Sequence, residues 1–472
     1  MPTRLPASAL IAIAAVAAAL LLGGCADRDA TTAPLPEAIA CQAGAWRMES
    51  GEILSLSPVE GGLRYRLLDG RSGLFETSGD DAELSAREGW REHGPAVATA
   101  TFEPCDAGTM QFRIDGGPSG KAEKIALPTQ DTRFRSGDLT MRGRLVLPAD
   151  SDAPVPLAVL VHGSERYSAV DIYPLQYLLP AQGVAVFVYD KRGTGGSEGE
   201  YTQDFRVLAD DAVAALKEAL RLAPDGFSRT GYVGGSQGGW IAPLAASRSR
   251  VDYAVATFGL AEGALAEDRE QVMNDLRDAG HGEDVLAKAR EVTDATGLLM
   301  ASGFTRGFDE LDAVRRAYGD EAWFGDIRGE FTGRILEFPG WMPQWAARWI
   351  AMRYDVGTSW DYEPLPVLAE LAVPQLWIIA AEDREAPNAE TLRRLRALQA
   401  QGRPVDLAVF PGTDHGIYEF AEEDGERIPL RHPDGYLRLL ADWIAEPVLR
   451  GGYGTAKLEP ALAAGHADAP PQ

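Results

Sequence analysis

The sequence predicts an α/β fold: a doubly wound, mostly parallel sheet with a helical cap insertion, preceded by a small β-domain. Three observations carry that expectation. "PLAVLVHGS", "GVAVFVYDKRG", "TGYVGGS" and "VDYAVATFGL" are short, continuous, valine-rich apolar runs, as strands buried on both faces of a parallel sheet require. Helical segments such as "IYPLQYLLPAQ" and "FRVLADDAVAALKEALRL", the latter with apolar positions recurring at three and four, alternate with those runs. The alternation stops near residue 262 and resumes after about 361, its next strand being "VPQLWIIAAED" from Val373, which marks about 262–361 as an insertion.

The elements follow in order. Residues 1–24 pair a basic start, "MPTR", with an apolar stretch that ends in small residues, a targeting segment and not fold. The ending "LLGGC" resembles the lipobox of bacterial lipoproteins. That resemblance implies cleavage before Cys25, lipidation of its thiol and anchoring at the periplasmic face of a membrane. Ala26 after the cysteine, by the same resemblance, points to the outer membrane. An uncleaved membrane helix is the competing reading of the stretch. Residues 25–40 are polar and proline-bearing, a tether. From 41 to 128, runs such as "GEILSLS", "GLRYRLLDG" and "TMQFRIDGG" alternate in hydrophobicity between glycine and aspartate turns, a small β-domain. Outside the cytoplasm Cys41 and Cys105 are expected to be bridged, not free. The sheet domain spans 129–447, with its helical cap at about 262–361, and the tail 448–472 reads as disordered.

Charge excludes one class of partner. With 45 basic and 70 acidic residues the formal charge is −25, which repels the phosphates of nucleic acid. No histidine–carboxylate cluster has metal-ligand spacing, so neither metal nor cofactor is expected.

The chemistry gathers around "GYVGGSQGGW". Gly234-Gly235-Ser236-Gln237-Gly238 fits G-x-S-x-G, between an apolar strand and a helix start, where the turn pushes a serine hydroxyl out at the sheet edge. The glycines fit neither phosphate-binding pattern. A serine nucleophile needs a histidine as base and a carboxylate to orient it. Of six histidines, His93 lies in the β-domain, His281 in the insertion, His466 in the tail, and His162 ends an early strand. His432 precedes a proline before the last helix, which leaves His415, in "FPGTDHGIYEF" after the last strand. In "WIIAAEDREAP" Glu382 and Asp383 are both placed to be the acid, and strand alternation turns only one of them to the site. Asp414 is a poor rival because adjacent side chains rarely present the right bond. Two backbone N–H groups are needed for the oxyanion: those of Gln237, at a helix N-terminus, and Ser164, in the loop after "LAVLVHGS".

"VHGS", "YDKRGTGGSEG", "GGSQGG", "AAEDREAP" and "GTDHG" occur in that order. The stretch from about 130 to 447 thereby resembles the α/β-hydrolase superfamily, in particular its bacterial esterase and peptidase-like serine hydrolases. The resemblance implies the chain order Ser236, Asp383, His415, and it favours Asp383 because family members commonly carry an aspartate four residues before a proline, here Pro387. It also implies that "DKRG" is a structural loop, with Arg192 as an anchor. Aspartate nucleophiles of the dehalogenase kind are excluded by Ser236.

The expected substrate is a carboxylic ester, with a short peptide as the alternative. A non-catalytic binding protein is the remote reading. Asp309, Glu310 and Asp312 in the insertion are candidates to hold a substrate's amino end, though a solvated helix face explains them as well. Trp341, Trp345 and Trp349 recur every fourth residue. They are expected to bury the cap against the body, with the lining of a pocket as the rival role. Trp240 is expected to pack.

Overall fold

The computed structural model describes residues 40–76, 83–149, 153–423 and 425–462. Cys25 and the segment before it lie outside the described residues.

Eight antiparallel strands close into a barrel: β1 (Gly44–Met48), β2 (Ile53–Val59), β3 (Gly62–Leu67), β4 (Ser72–Glu76), β5 (Glu83–Ala86), β6 (Ala98–Phe102), β7 (Thr109–Ile114) and β8 (Ser119–Lys124), which returns to β1. Trp46, Leu54, Leu56, Tyr65, Phe75 and Phe112 fill its interior. A disulfide joins Cys41, just ahead of β1, to Cys105, just ahead of β7. In β3, Leu63, Tyr65 and Leu67 face inward, so Arg64 and Arg66 face out. Both arginines are nevertheless buried. The Arg64 guanidinium donates to the Gly89 carbonyl at 2.7 Å and lies 3.9 Å from the centre of the Trp90 ring.

The second body is a nine-stranded sheet. Its strands are β9 (Thr129–Ser136), β10 (Leu139–Val146), β11 (Pro156–Val161), β12 (Ala185–Tyr189), β13 (Arg229–Gly235), β14 (Tyr253–Thr257), β15 (Gln375–Ala380) and β16 (Val405–Phe410), with β20 (Lys457–Glu459) at one edge. The order β20-β16-β15-β14-β13-β11-β12-β10-β9 is parallel from β16 to β12 and antiparallel at both ends. The expected doubly wound sheet is present. Helices α1 (Phe205–Leu222) and α2 (Gly238–Ser247) share one apolar core with the sheet residues Leu157, Val159 and Tyr232. Strand alternation turns Ala158, Leu160 and Val186 to the opposite face, where Leu440 and Trp443 of the last helix, Tyr436–Ala445, join them in a second core. Trp240 packs as expected, stacked 4.8 Å from Phe205.

Three local expectations are corrected. "IYPLQYLLPAQ" is not one helix but short turns at Ala169–Ile172, Leu175–Leu178 and Pro180–Gln182, because Pro174 and Pro180 interrupt the i→i−4 ladder. Between β16 and the last helix stand β17 (Thr413–Asp414) and a hairpin, β18 (Tyr418–Glu423) with β19 (Glu426–Arg431), where the sequence predicts no strand. The tail is not disordered from 448: β20 pairs with β16, held by Arg396 to Glu459 and by the Ala461 N–H to Asp406.

Residues 268–356 form a separate compact unit, helical throughout. Inside it Asp268 accepts from the backbone of Phe331 and Thr332 and from the Thr332 hydroxyl. His281 pairs with Asp326 at 2.8 Å. Asp309 and Glu310 occupy the exposed first turn of the helix Phe308–Tyr318. The tryptophan stripe departs from expectation: Trp341, Trp345 and Trp349 are 56%, 60% and 64% exposed, and the buried face of this segment is Met342, Ala346 and Ile350, one position along.

Candidate active site

The nucleophile candidate is set by a turn between β13 and α2. Ser236 sits at φ +52°, a conformation unfavourable for a residue with a Cβ and expected where a turn forces a hydroxyl outward. The turn is tight because its glycines leave no room: a Cβ on Gly238 would lie 2.0 Å from the Val161 carbonyl oxygen, so α2 starts against the end of β11.

Three side chains distant in sequence meet there. His415, in the loop after β17, has Nε2 3.2 Å from Ser236 Oγ. Its Nδ1 lies 3.0 and 3.2 Å from the two carboxylate oxygens of Asp383, which is almost wholly buried at the end of β15. The Ala386 N–H donates to Asp383 at 2.7 Å and fixes that carboxylate. Glu382 turns away, half exposed. Asp414 accepts from the backbone of Arg384 and His415 and from Arg427, so it ties the loop together.

The loop after β11 flanks the serine: a Cβ on Gly163 would lie 3.2 Å from the Ser236 Cβ. Ser164 follows in that same loop, and Gln237 stands immediately before the first residue of α2.

A family model described as the Alpha/beta hydrolase family matches residues 158–428, more than half of the chain. The chain belongs to the alpha/beta hydrolase family. No curated protein sequence matches it. Among solved structures, this alpha/beta hydrolase is similar to the acylaminoacyl peptidase of Pyrococcus horikoshii, at 15% identity and a TM-score of 0.42 over 87% of this chain and 57% of that one. It is similar also to a Pyrococcus furiosus esterase, at 18% identity and a TM-score of 0.39 over 62% and 84%. Est1E from Butyrivibrio proteoclasticus, solved with ferulic acid bound, matches at 17% identity and a TM-score of 0.36 over 67% and 96%. The chain thus spans just over half the length of the peptidase.

Sequence reading of this alpha/beta hydrolase missed several residues around the site. Glu385 Oε1 lies 3.6 Å from His415 Nε2. Burial pulls the His415 pKa down, but the hydrogen bond and charge of Asp383, with the charges of Glu385 and Glu267, outweigh it and push the imidazole up to about 9. A carboxylate two residues beyond the acid was the available signal. Glu165 lies against Gly163, with its carboxylate 3.6 Å from Nδ1 of the buried His162. Lys191, in the loop read as structural, is buried, and burial pushes its ammonium down to about 8. Arg192 anchors that loop by two bonds of 2.7 Å to Asp211.

His432 has a supporting part. Burial pushes it down to about 3, so it is neutral, and its ring bonds the Ile417 carbonyl at 3.0 Å through Nδ1. A neutral ring facing a carbonyl must carry its proton on that nitrogen. Ile417 sits at φ +59°, a strained position for a β-branched residue, two places after His415.

Proposed function

We propose that the chain is a serine hydrolase that cleaves a carboxylic ester through an acyl-enzyme. The observation that carries this reading is the continuous relay from Ser236 through both nitrogens of His415 to Asp383. Ser236 Oγ attacks the substrate carbonyl carbon as His415 Nε2 takes its proton, and Asp383 stabilises the imidazolium. The developing oxyanion is received by the N–H groups of Ser164 and Gln237. His415 returns the proton to the leaving alcohol, and water repeats the sequence to release the acid.

A second reading has one observation in its favour. The carboxylates of Glu165, Glu267 and Glu385 all bear on the His415 and Ser236 neighbourhood, which suits a substrate that carries an amine near the scissile bond. An aminopeptidase-like activity on the same residues follows from that. Turnover of a short-chain nitrophenyl ester against an aminoacyl nitroanilide separates the two, with Ser236→Ala as the blank. Ester cleavage lost in Ser236→Ala supports the esterase. Preferential anilide cleavage moves the assignment to peptidase, and failure of a fluorophosphonate to label Ser236 overturns both.

The protein acts, in this proposal, as a lipoprotein held through Cys25 at the periplasmic face of a membrane. Cys25→Ser releases it into the soluble fraction if that is right. Unchanged membrane partition refutes it.

A further inference from the structure

The oxyanion N–H of Ser164 belongs to the peptide unit that joins it to Gly163. A trans peptide is planar, so its C=O and N–H point in opposite directions. Whatever holds the Gly163 carbonyl therefore also aims the Ser164 N–H. That group is Lys191, whose Nζ donates to the Gly163 oxygen at 2.5 Å. The next carbonyl along, that of Ser164, accepts from the Tyr201 hydroxyl, also at 2.5 Å. The Tyr201 ring in turn lies 5.0 Å from Lys191 Nζ and 4.3 Å from the Arg166 guanidinium. Gln203 donates to the same hydroxyl at 3.1 Å.

Both anchors come from the segment between β12 and α1, and that segment is itself fixed. Asp190 is fully buried and accepts from Ser168 Oγ and from the backbone N–H groups of Val170 and Gly196. Arg192 is pinned to Asp211 on α1. Two successive peptide planes beside the nucleophile are thus held through their carbonyls by one rigid loop.

We propose that Lys191 and Tyr201 are a positioning pair that presets the Ser164 N–H for the oxyanion. This rests on the serine-hydrolase reading above. Neither side chain hydrogen-bonds Ser236, His415 or Asp383, and in this proposal their contribution is to transition-state binding, not to substrate binding. A buried ammonium is costly to desolvate. Its position on the carbonyl is intelligible if it also polarises the peptide, which strengthens the N–H on the far edge as a donor.

The test uses the full chain with Lys191→Met, Lys191→Arg and Tyr201→Phe. It reads kcat and KM on the nitrophenyl ester, inhibition by a trifluoromethyl ketone whose adduct carries an oxyanion, and the thermal midpoint. Loss of a whole oxyanion donor lowers kcat by about 100- to 1,000-fold. Mis-aiming one is expected to lower kcat by about 10- to 100-fold in Lys191→Met, with KM within about threefold and ketone affinity falling in step with kcat. Lys191→Arg, which keeps the charge and a donor, recovers most of the loss, and Tyr201→Phe shows the same pattern at smaller size. Lys191→Met with kcat within about twofold of wild type overturns the proposal. So does a KM that rises with a collapsing thermal midpoint while ketone affinity fails to track kcat. If Lys191→Met yields no folded protein, Tyr201→Phe decides by the same criteria. A wild-type chain that neither turns over the ester nor takes a fluorophosphonate overturns the hydrolase reading itself, an outcome distinct from the others.

Discussion

Replacing Glu385 by glutamine tests the electrostatics of the site directly. The Glu385 carboxylate stands 3.6 Å from His415 Nε2; its side chain is 55% exposed and the imidazole 20%, so full water screening gives the smallest effect to expect. Coulomb's law at that distance gives about 1.2 kcal/mol, which lowers the His415 pKa by about 0.9 once the charge is gone. The sign is fixed: a neighbouring negative charge stabilises the imidazolium, so its removal makes the proton easier to lose. His415 starts near 9, and in the proposed mechanism only its unprotonated form accepts the serine proton. The pH profile of kcat/KM for a neutral ester reports the free enzyme. In wild type its rising limb inflects near 9, and in Glu385→Gln it moves at least about 0.9 toward acid. At pH 7 the variant is then at least about eightfold faster, and near pH 10 the two curves converge. Coincident rising limbs, or a move toward alkali, refute the reasoning.

Other perturbations have outcomes as definite. Gly238→Ala places a methyl where the Val161 carbonyl stands, so a loss of about 1–3 kcal/mol in urea unfolding is expected, with slower fluorophosphonate labelling of Ser236. His432→Phe keeps a ring against Tyr418 but frees the Ile417 carbonyl. It is expected to cost about 1–2 kcal/mol and to lower kcat at every pH alike, since His432 does not titrate in the working range. Cys41→Ser opens a 64-residue loop, and on the chain-entropy account the fold loses about 4 kcal/mol, read as a lower urea midpoint that reductant reproduces in wild type.

The parallel sheet was legible because strands buried on both faces must be continuously apolar, and such short apolar runs recur between helical segments from residue 156 on. Ser236, His415 and the pair Glu382–Asp383 were legible for a related reason: each follows the carboxyl end of a strand, and a parallel sheet gathers such ends along one edge, while only the family resemblance favoured Asp383 within the pair. The hairpin 418–431 was not. Its sequence, "YEFAEEDGERIPLR", is half exposed on both faces and so lacks the alternation that marks a strand. The tryptophan stripe shows a different limit. Spacing tells which residues share a helical face, but which face is buried depends on what packs there, and here Ala346 and Ile350 turn inward. Lys191 and Tyr201 stayed hidden because their roles exist only across gaps of 28 and 37 residues, closed by the fold.

The barrel meets the rest of the protein at a place that matters. Its Trp90 sits between Arg64 and Tyr418 on the hairpin that follows His415, and Tyr418 stacks on His432 at 4.3 Å. The backbones touch as well: the Trp90 N–H bonds the Pro429 carbonyl, and the His432 N–H bonds that of Gly70. The amino-terminal domain therefore acts as a splint for the loop that carries His415. Loosening the barrel ought to idle the enzyme before the sheet melts, so heat inactivation and barrel unfolding share one midpoint, below that of the sheet.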